Sequence, residues 1–375
     1  MVDIQSGPSH IGSLRVYEAG LNPEDVRERF GIENAIKLSS NENPFGTSPK
    51  AIESARCALE KMARYPDGGL ALRRKLAERF DLKIENVIVG SGSEGIIANI
   101  VRTFLCDDDE ILTTDAAFLG FQVLAKSRGV PYRTVPYREW KYDLTALADA
   151  ITERTKLIYL ANPNNPTGTF FTCREFEQFY SKVPDRVLII LDEAYFEYAT
   201  GQPAYPDSMC YRFDNVITLR TFSKAYGLAA ARVGYGFAHE NLISVLLKVK
   251  LPFEPSGVSA AAAIGALEDA AFVHASVENN RRWRAFVTDA LRKMRFRVAP
   301  SAANFVMLIL DTEEQAGQLY NLLLRQAVIV RPLKATGLPG CLRVSIGTEP
   351  ENQMFIDVLK HAQSELEVVH YATNH

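Results

Sequence analysis

Five apolar residues in a row, Val187-Leu188-Ile189-Ile190-Leu191, run straight into two acids, Asp192 and Glu193. A run of that length with no polar residue in it reads as a strand buried on both faces, the habit of a parallel sheet covered by helices on either side. Strand signatures return at Asn86-Val87-Ile88-Val89, Glu110-Ile111-Leu112-Thr113-Thr114, Lys156-Leu157-Ile158-Tyr159-Leu160 and Asn215-Val216-Ile217-Thr218-Leu219. Strands and helices alternate from about residue 50 to 240, which predicts an α/β fold with a doubly wound, mainly parallel sheet. Beyond it, a long helix from Glu278 to Met294 precedes strands at 295–298 and 304–310, a helix over 313–326, and strands at 328–330 and 342–346. That grouping predicts a smaller α+β domain. The expected division is an N-terminal arm over 1–35 packed on the small domain, a large domain over 36–270 and a small domain over 271–375.

Open α/β sheets bind ligands at the carboxyl ends of their strands, so the residues that follow each strand are the candidates. After Leu219 comes Arg220-Thr221-Phe222-Ser223-Lys224, and then the small, apolar run Tyr226-Gly227-Leu228-Ala229-Ala230-Ala231. A lone loop lysine is most simply a surface residue. Walled in by apolar neighbours, its ammonium form is disfavoured and its amine becomes nucleophilic near neutral pH, as a Schiff-base lysine requires.

Such a lysine holding pyridoxal phosphate needs a carboxylate for the ring nitrogen, donors for the phosphate and an aromatic face. Asp192, directly after a buried strand, needs a cationic or hydrogen-bonding partner and suits the first role. Tyr195, three residues on, could reach the cofactor's phenolic oxygen. The run Gly90-Ser91-Gly92-Ser93-Glu94-Gly95 stands between a strand and the helical stretch 96–101, a geometry that aims backbone N–H groups at an anion. It lacks the lysine of a P-loop and the third glycine of a dinucleotide fingerprint. Ser223 and Arg232 could add side-chain donors. In Ala161-Asn162-Pro163-Asn164-Asn165-Pro166-Thr167-Gly168 two X-Pro steps hold an asparagine at a strand end, and Asn165 could donate to the phenolate oxygen. Phe118 could stack on the ring.

Seven segments in order carry a resemblance that spans about residues 41–347. They are 40–46 (Ser-Asn-Glu-Asn-Pro-Phe-Gly), Arg64-Tyr65-Pro66-Asp67, Gly92-Ser93-Glu94-Gly95, 164–168, Asp192-Glu193-Ala194-Tyr195, Ser223-Lys224 with Arg232, and 342–347 (Leu-Arg-Val-Ser-Ile-Gly). Together they resemble the fold-type I, pyridoxal-phosphate-dependent aminotransferases, and more closely the histidinol-phosphate aminotransferase group. The resemblance implies Lys224 as Schiff-base lysine and proton carrier, with Asp192 on the pyridine nitrogen. It implies Asn165 and Tyr195 on the phenolic oxygen, and Gly92, Ser93, Glu94, Ser223 and Arg232 around the phosphate. Tyr65 would reach the phosphate in the other subunit of a homodimer. Arg343 would bind the acidic group of the substrate and Arg331 would be a second anion site, with Tyr17 and Asn43 also at the substrate. The chain departs from the group's pattern at Asp115-Ala116-Ala117-Phe118, at Ser93 and at Val16-Tyr17. The substrate therefore stays open between histidinol phosphate, with 2-oxoglutarate as acceptor in histidine biosynthesis, and an aromatic amino acid. Decarboxylation of an amino-acid phosphate uses a similar site.

Composition narrows the rest. With 47% hydrophobic and 23% charged residues the chain readily builds a core, and a formal charge of −3 argues against a general nucleic-acid binder. A regulator built on this fold would need a basic helix-turn-helix ahead of residue 40, which is absent. The five cysteines are widely spaced with no C-x-x-C pair, the pattern of free thiols in a reducing compartment. Residues 1–8 have neither a basic start nor an apolar stretch, so no signal peptide and a cytoplasmic location are expected. The six histidines show no metal-ligand spacing, and no metal is expected.

Overall fold

The computed structural model describes residues 7–14, 16 and 20–373, with the side chains of Cys210 and of residues from 364 on outside that description. The chain's first strand, β1 (Ile36–Lys37), is two residues long. The main sheet takes β2 (Val87–Gly90), β3 (Glu110–Thr114), β4 (Tyr132–Val135), β5 (Thr155–Ala161), β6 (Leu188–Asp192), β7 (Val216–Thr221) and β8 (Gly234–Phe237). Their order is β2-β8-β7-β6-β5-β3-β4, and only β8 runs against its neighbours. The α/β reading and its mainly parallel sheet therefore describe this molecule.

Alternate residues of the strands face two separate cores. On β6, Leu188 and Ile190 pack with Ile96, Ile100 and Phe121 of the helices Gly92–Phe104 and Leu119–Ser127. Ile189 and Leu191 pack the other way, with Leu147, Phe176 and Phe179 of the helices Leu144–Asp149 and Cys173–Tyr180. β6 buries both faces, which is why its sequence is apolar up to Asp192.

After the helix Ala270–Lys293 come β9 (Arg297–Val298), β10 (Phe305–Ile309), β11 (Val328–Ile329), β12 (Arg331–Pro332) and β13 (Cys341–Ser345). The helix is longer than expected, because the Asp269 side chain accepts from Phe272 N–H and starts it at Ala270. Strands β12-β13-β10-β9 form an antiparallel sheet whose Val306, Leu308, Leu342 and Val344 pack on Trp283, Leu319, Leu323 and Phe355.

The single strand expected at 328–330 is two. β11 pairs in parallel with β1, Val328 opposite Ile36, and at Val330 the chain crosses to pair antiparallel with β13, Arg331 opposite Arg343. The N-terminal stretch does not go to one place either. The helix Pro23–Phe30 packs through Val26 on Leu324 and Ile329, whereas Ser9–Gly12 lies against the helix Leu119–Ser127 of the main sheet. No single described helix is long and apolar enough to cross a membrane.

Candidate active site

Five sequence-predicted residues follow the carboxyl ends of parallel strands at one edge of the main sheet: Gly92 after β2, Phe118 after β3, Asn165 after β5, Asp192 at the last position of β6 and Lys224 after β7. Except for Gly92, all line one cleft, together with Ser93, Glu94, Tyr195, Ser223, Arg232, Arg331 and Arg343. The cleft is walled on one side by the main sheet and on the other by β12, β13 and the segment Ser39-Ser40-Asn41.

Lys224 opens onto this cleft. Its Nζ donates to Ser40 O (3.3 Å) and lies 5.8 Å from the Tyr195 ring centroid. Burial, and then the Arg343 guanidinium, bring its ammonium from the usual 10.5 down to about 8. Asp192 is buried, and its carboxylate accepts from the Tyr159 hydroxyl (2.7 Å) and from Ala194 N–H (3.1 Å). Desolvation raises it to about 6, and those two hydrogen bonds keep it from rising further. Among the described residues no cationic side chain forms an ion pair with it within 4 Å. A cationic N–H is the partner such a carboxylate lacks.

The helix Gly92–Phe104 begins at Gly92, inside the segment expected to be a turn, so Ser93 and Glu94 belong to its first turn. Its N-cap, Ser91, makes no side-chain cap, which leaves first-turn N–H groups for an anion. Gly92 has φ 76°, and a Cβ there would stand 2.9 Å from the Arg232 guanidinium, so this turn accepts only glycine beside that cation. Arg232 donates to Ser223 Oγ (3.3 Å) and pairs with Glu94 at 3.0 Å. Backbone donors, a hydroxyl and a guanidinium thus converge, a donor set that fits a phosphate.

On the opposite wall Arg343 donates to Asn165 Oδ1 (2.6 Å) and to Ser39 O (2.8 Å). Arg331 is its register partner on β12, half-buried in the same cleft. Tyr195 accepts from Asn41 Nδ2 (2.9 Å) and meets Phe305 edge-on.

Two expected residues lie elsewhere. Asn43 does not line the cleft: its amide donates to Ala225 O and to Ser276 Oγ, both at 2.9 Å, and so holds the loop after Lys224. Tyr65 lies outside the cleft of its own chain, 82% exposed and stacked on Phe253 at 4.4 Å. Tyr17 lies outside the described residues.

The sequence reading missed Asn41, Tyr159 and the partner of Glu193. Asn41 has φ 55°, a conformation asparagine tolerates better than most residues, which aims its amide at Tyr195. Tyr159 is the one hydroxyl-bearing side chain in the stretch 157–161, and that interruption was the available signal. Glu193 is paired with Arg220 at 2.8 Å, both fully buried, and Arg220 also reaches Asp207 at 2.8 Å with the Phe196 ring over it. The second acid after β6 thus ties β6 to β7 behind the cleft.

The fold and this cleft define a class that comparison with known proteins identifies. Residues 33–359 match the family model for aminotransferase class I and II, and the chain belongs to that family. Within it, the chain is 37% identical to histidinol-phosphate aminotransferase 1 of Mannheimia succiniciproducens, over 96% of this chain and 98% of the relative. It is 40% identical to histidinol-phosphate aminotransferase 2 of Pseudomonas aeruginosa, over 93% and 95%. The crystal structure of histidinol-phosphate aminotransferase from Sinorhizobium meliloti, in complex with pyridoxal-5'-phosphate, superposes with a TM-score of 0.89 at 27% identity, covering 97% of this chain and 99% of that one.

Proposed function

We propose that this chain uses pyridoxal phosphate to transfer the amino group of histidinol phosphate to 2-oxoglutarate. The observation that carries the reading is a convergence in one cleft. A lysine with a lowered ammonium pKa and a buried carboxylate with no ion-pair partner among the described residues stand beside an uncapped helix start and a guanidinium, opposite two arginines.

Pyridoxal phosphate, when bound, supplies an aldehyde to capture the amine and a ring that withdraws electrons. Asp192 would take the ring-nitrogen N–H and hold its proton in place. Gly92, Ser93 and Glu94 through their backbone, with Ser223 and Arg232, would hold the phosphate, and Phe118 would cover one ring face. Tyr195 and the amide nitrogen of Asn165 would orient the phenolic oxygen. With its pKa near 8, Lys224 has an appreciable neutral fraction at neutral pH, so Nζ can accept the proton from the substrate's amine-bearing carbon and would be the group that hands it on. Arg331 and Arg343 would clamp the doubly charged phosphate of the substrate, where an α-carboxylate needs only one bidentate partner. The names and identities of the relatives support the phosphate reading. The test is glutamate formation from 2-oxoglutarate with histidinol phosphate and, as rival donor, phenylalanine. Turnover of phenylalanine alone replaces the proposal with an aromatic-amino-acid aminotransferase.

We further read the working unit as a cytoplasmic homodimer. Met62, Tyr65, Leu251 and Phe253 are exposed large apolar residues from two neighbouring segments, a patch that a second copy would cover. From there Tyr65 would reach the partner's cofactor phosphate. A fully active monomer in sedimentation at assay concentration rules this out.

A further inference from the structure

We propose that Glu254, which lies outside the cleft, is a positioning residue for the phosphate cradle; the inference rests on reading the turn at Gly92 as that cradle. Glu254 Oε1 accepts from Ser91 N–H at 2.7 Å, one residue before the helix Gly92–Phe104 starts. Glycine at 95 leaves room for the contact, since a Cβ there would stand 3.1 Å from that same Oε1 and press it back by a few tenths of an ångström.

Glu254 is itself held from two sides. Lys250 Nζ donates to Glu254 O and to Gly68 O. Gly69, at φ 84°, fits against Val89 and Pro255, where a Cβ would come within 2.4 Å and 3.0 Å of their side chains. The far end of the helix is tied to the same segment, since Arg102 donates to Val249 O at 2.5 Å. Residues 249–255 therefore strap the helix at both ends. By accepting from Ser91 N–H the carboxylate holds the backbone one residue before the helix, and with it the direction in which the next N–H groups point. Small displacements of such donors weaken an anion site steeply.

Two conservative substitutions separate positioning from charge. Glu254→Asp keeps the charge and withdraws the acceptor by one methylene; Glu254→Gln keeps the reach and removes the charge. The readout is the dissociation constant of pyridoxal phosphate from the holoenzyme, followed by cofactor absorbance after dialysis. Positioning predicts about tenfold weaker binding in Glu254→Asp, the loss of one hydrogen bond to a charged group. Glu254→Gln should stay within about threefold of wild type, and kcat at saturating cofactor should hardly change in either. Equal constants in all three proteins, or tighter binding in Glu254→Gln with Glu254→Asp unchanged, overturn the proposal. A wild type that binds no pyridoxal phosphate overturns the cradle reading and this inference with it.

Discussion

Replacing Asp192 by asparagine should stabilise the cofactor-free protein at neutral pH while removing its transamination. Asp192 is 4% exposed, and among the described residues its carboxylate oxygens accept from the Tyr159 hydroxyl and Ala194 N–H. Burial holds it at about 6 in the folded chain, against an ordinary 3.8. A carboxyl whose value rises on folding favours the folded state below about pH 4, and that advantage is lost as pH rises through about 6. Above that, ionisation costs about 3 kcal/mol, at roughly 1.4 kcal/mol for each tenfold displacement. Asparagine has the same shape and no charge. Its Oδ1 can accept from Ala194 N–H while its amide donates to the Tyr159 hydroxyl oxygen. The expected gain is about 1–3 kcal/mol at pH 7.5 and close to zero at pH 4. Urea unfolding of both proteins at the two pH values, with comparable m values, measures it. A variant less stable than wild type at pH 7.5, or a difference that does not change with pH, refutes the argument. The stabilised variant should lose transamination by orders of magnitude, because the group that costs stability is the one proposed to serve the ring nitrogen.

Tyr159→Phe keeps the ring stacked on Phe121 and deletes only the hydrogen bond to Asp192, so the acid limb of cofactor binding should move upward from about pH 6; an unmoved limb in a pH titration of cofactor affinity counts against the assignment. Lys224→Ala should cut transamination by orders of magnitude, and borohydride reduction of the wild type should label Lys224, as peptide mapping can check; label on Lys248 or Lys250 would refute it. Trapping of that amine by an aldehyde should rise through about pH 8 and not near 10.5, since its ammonium value is lowered. Arg331→Ala should weaken histidinol phosphate by about ten- to a hundredfold in KM and leave phenylalanine nearly unchanged; equal losses on both refute the phosphate clamp.

The main sheet was legible because strands buried on two faces spell out continuous apolar runs, and the residues after them fall at the sheet's ligand-binding edge by construction. Lys224, Asp192 and Asn165 could therefore be located before any contact was known. What escaped the sequence depended on partners far along the chain. Nothing local distinguishes Asn41 from Asn43; the positive φ of the first and the distant partners Ala225 and Ser276 of the second decide which faces the cleft. The break at Val330 is equally invisible, since it arises where β11 leaves β1 for β13. Arg220 reads as an odd charge in a strand until Glu193 and Asp207 close around it.

The two-residue pairing of β1 with β11 also bears on how the molecule comes into being. Asn41 N–H donates to Ser345 Oγ at 2.8 Å and the same hydroxyl returns to Asn41 Oδ1 at 2.9 Å, a junction between positions 304 apart. During synthesis, residues 87–237 complete the main sheet, with Lys224 and Asp192 at its edge, while Ile36, Lys37 and Asn41 still wait for strands the ribosome has not made. A nascent chain can thus have the edge that carries Lys224 before it has the opposite wall of the cleft. Contacts this long in sequence are the slow ones to form. The last event in building this cleft is then the return of the chain's end to its beginning, bringing Arg331 and Arg343 with it.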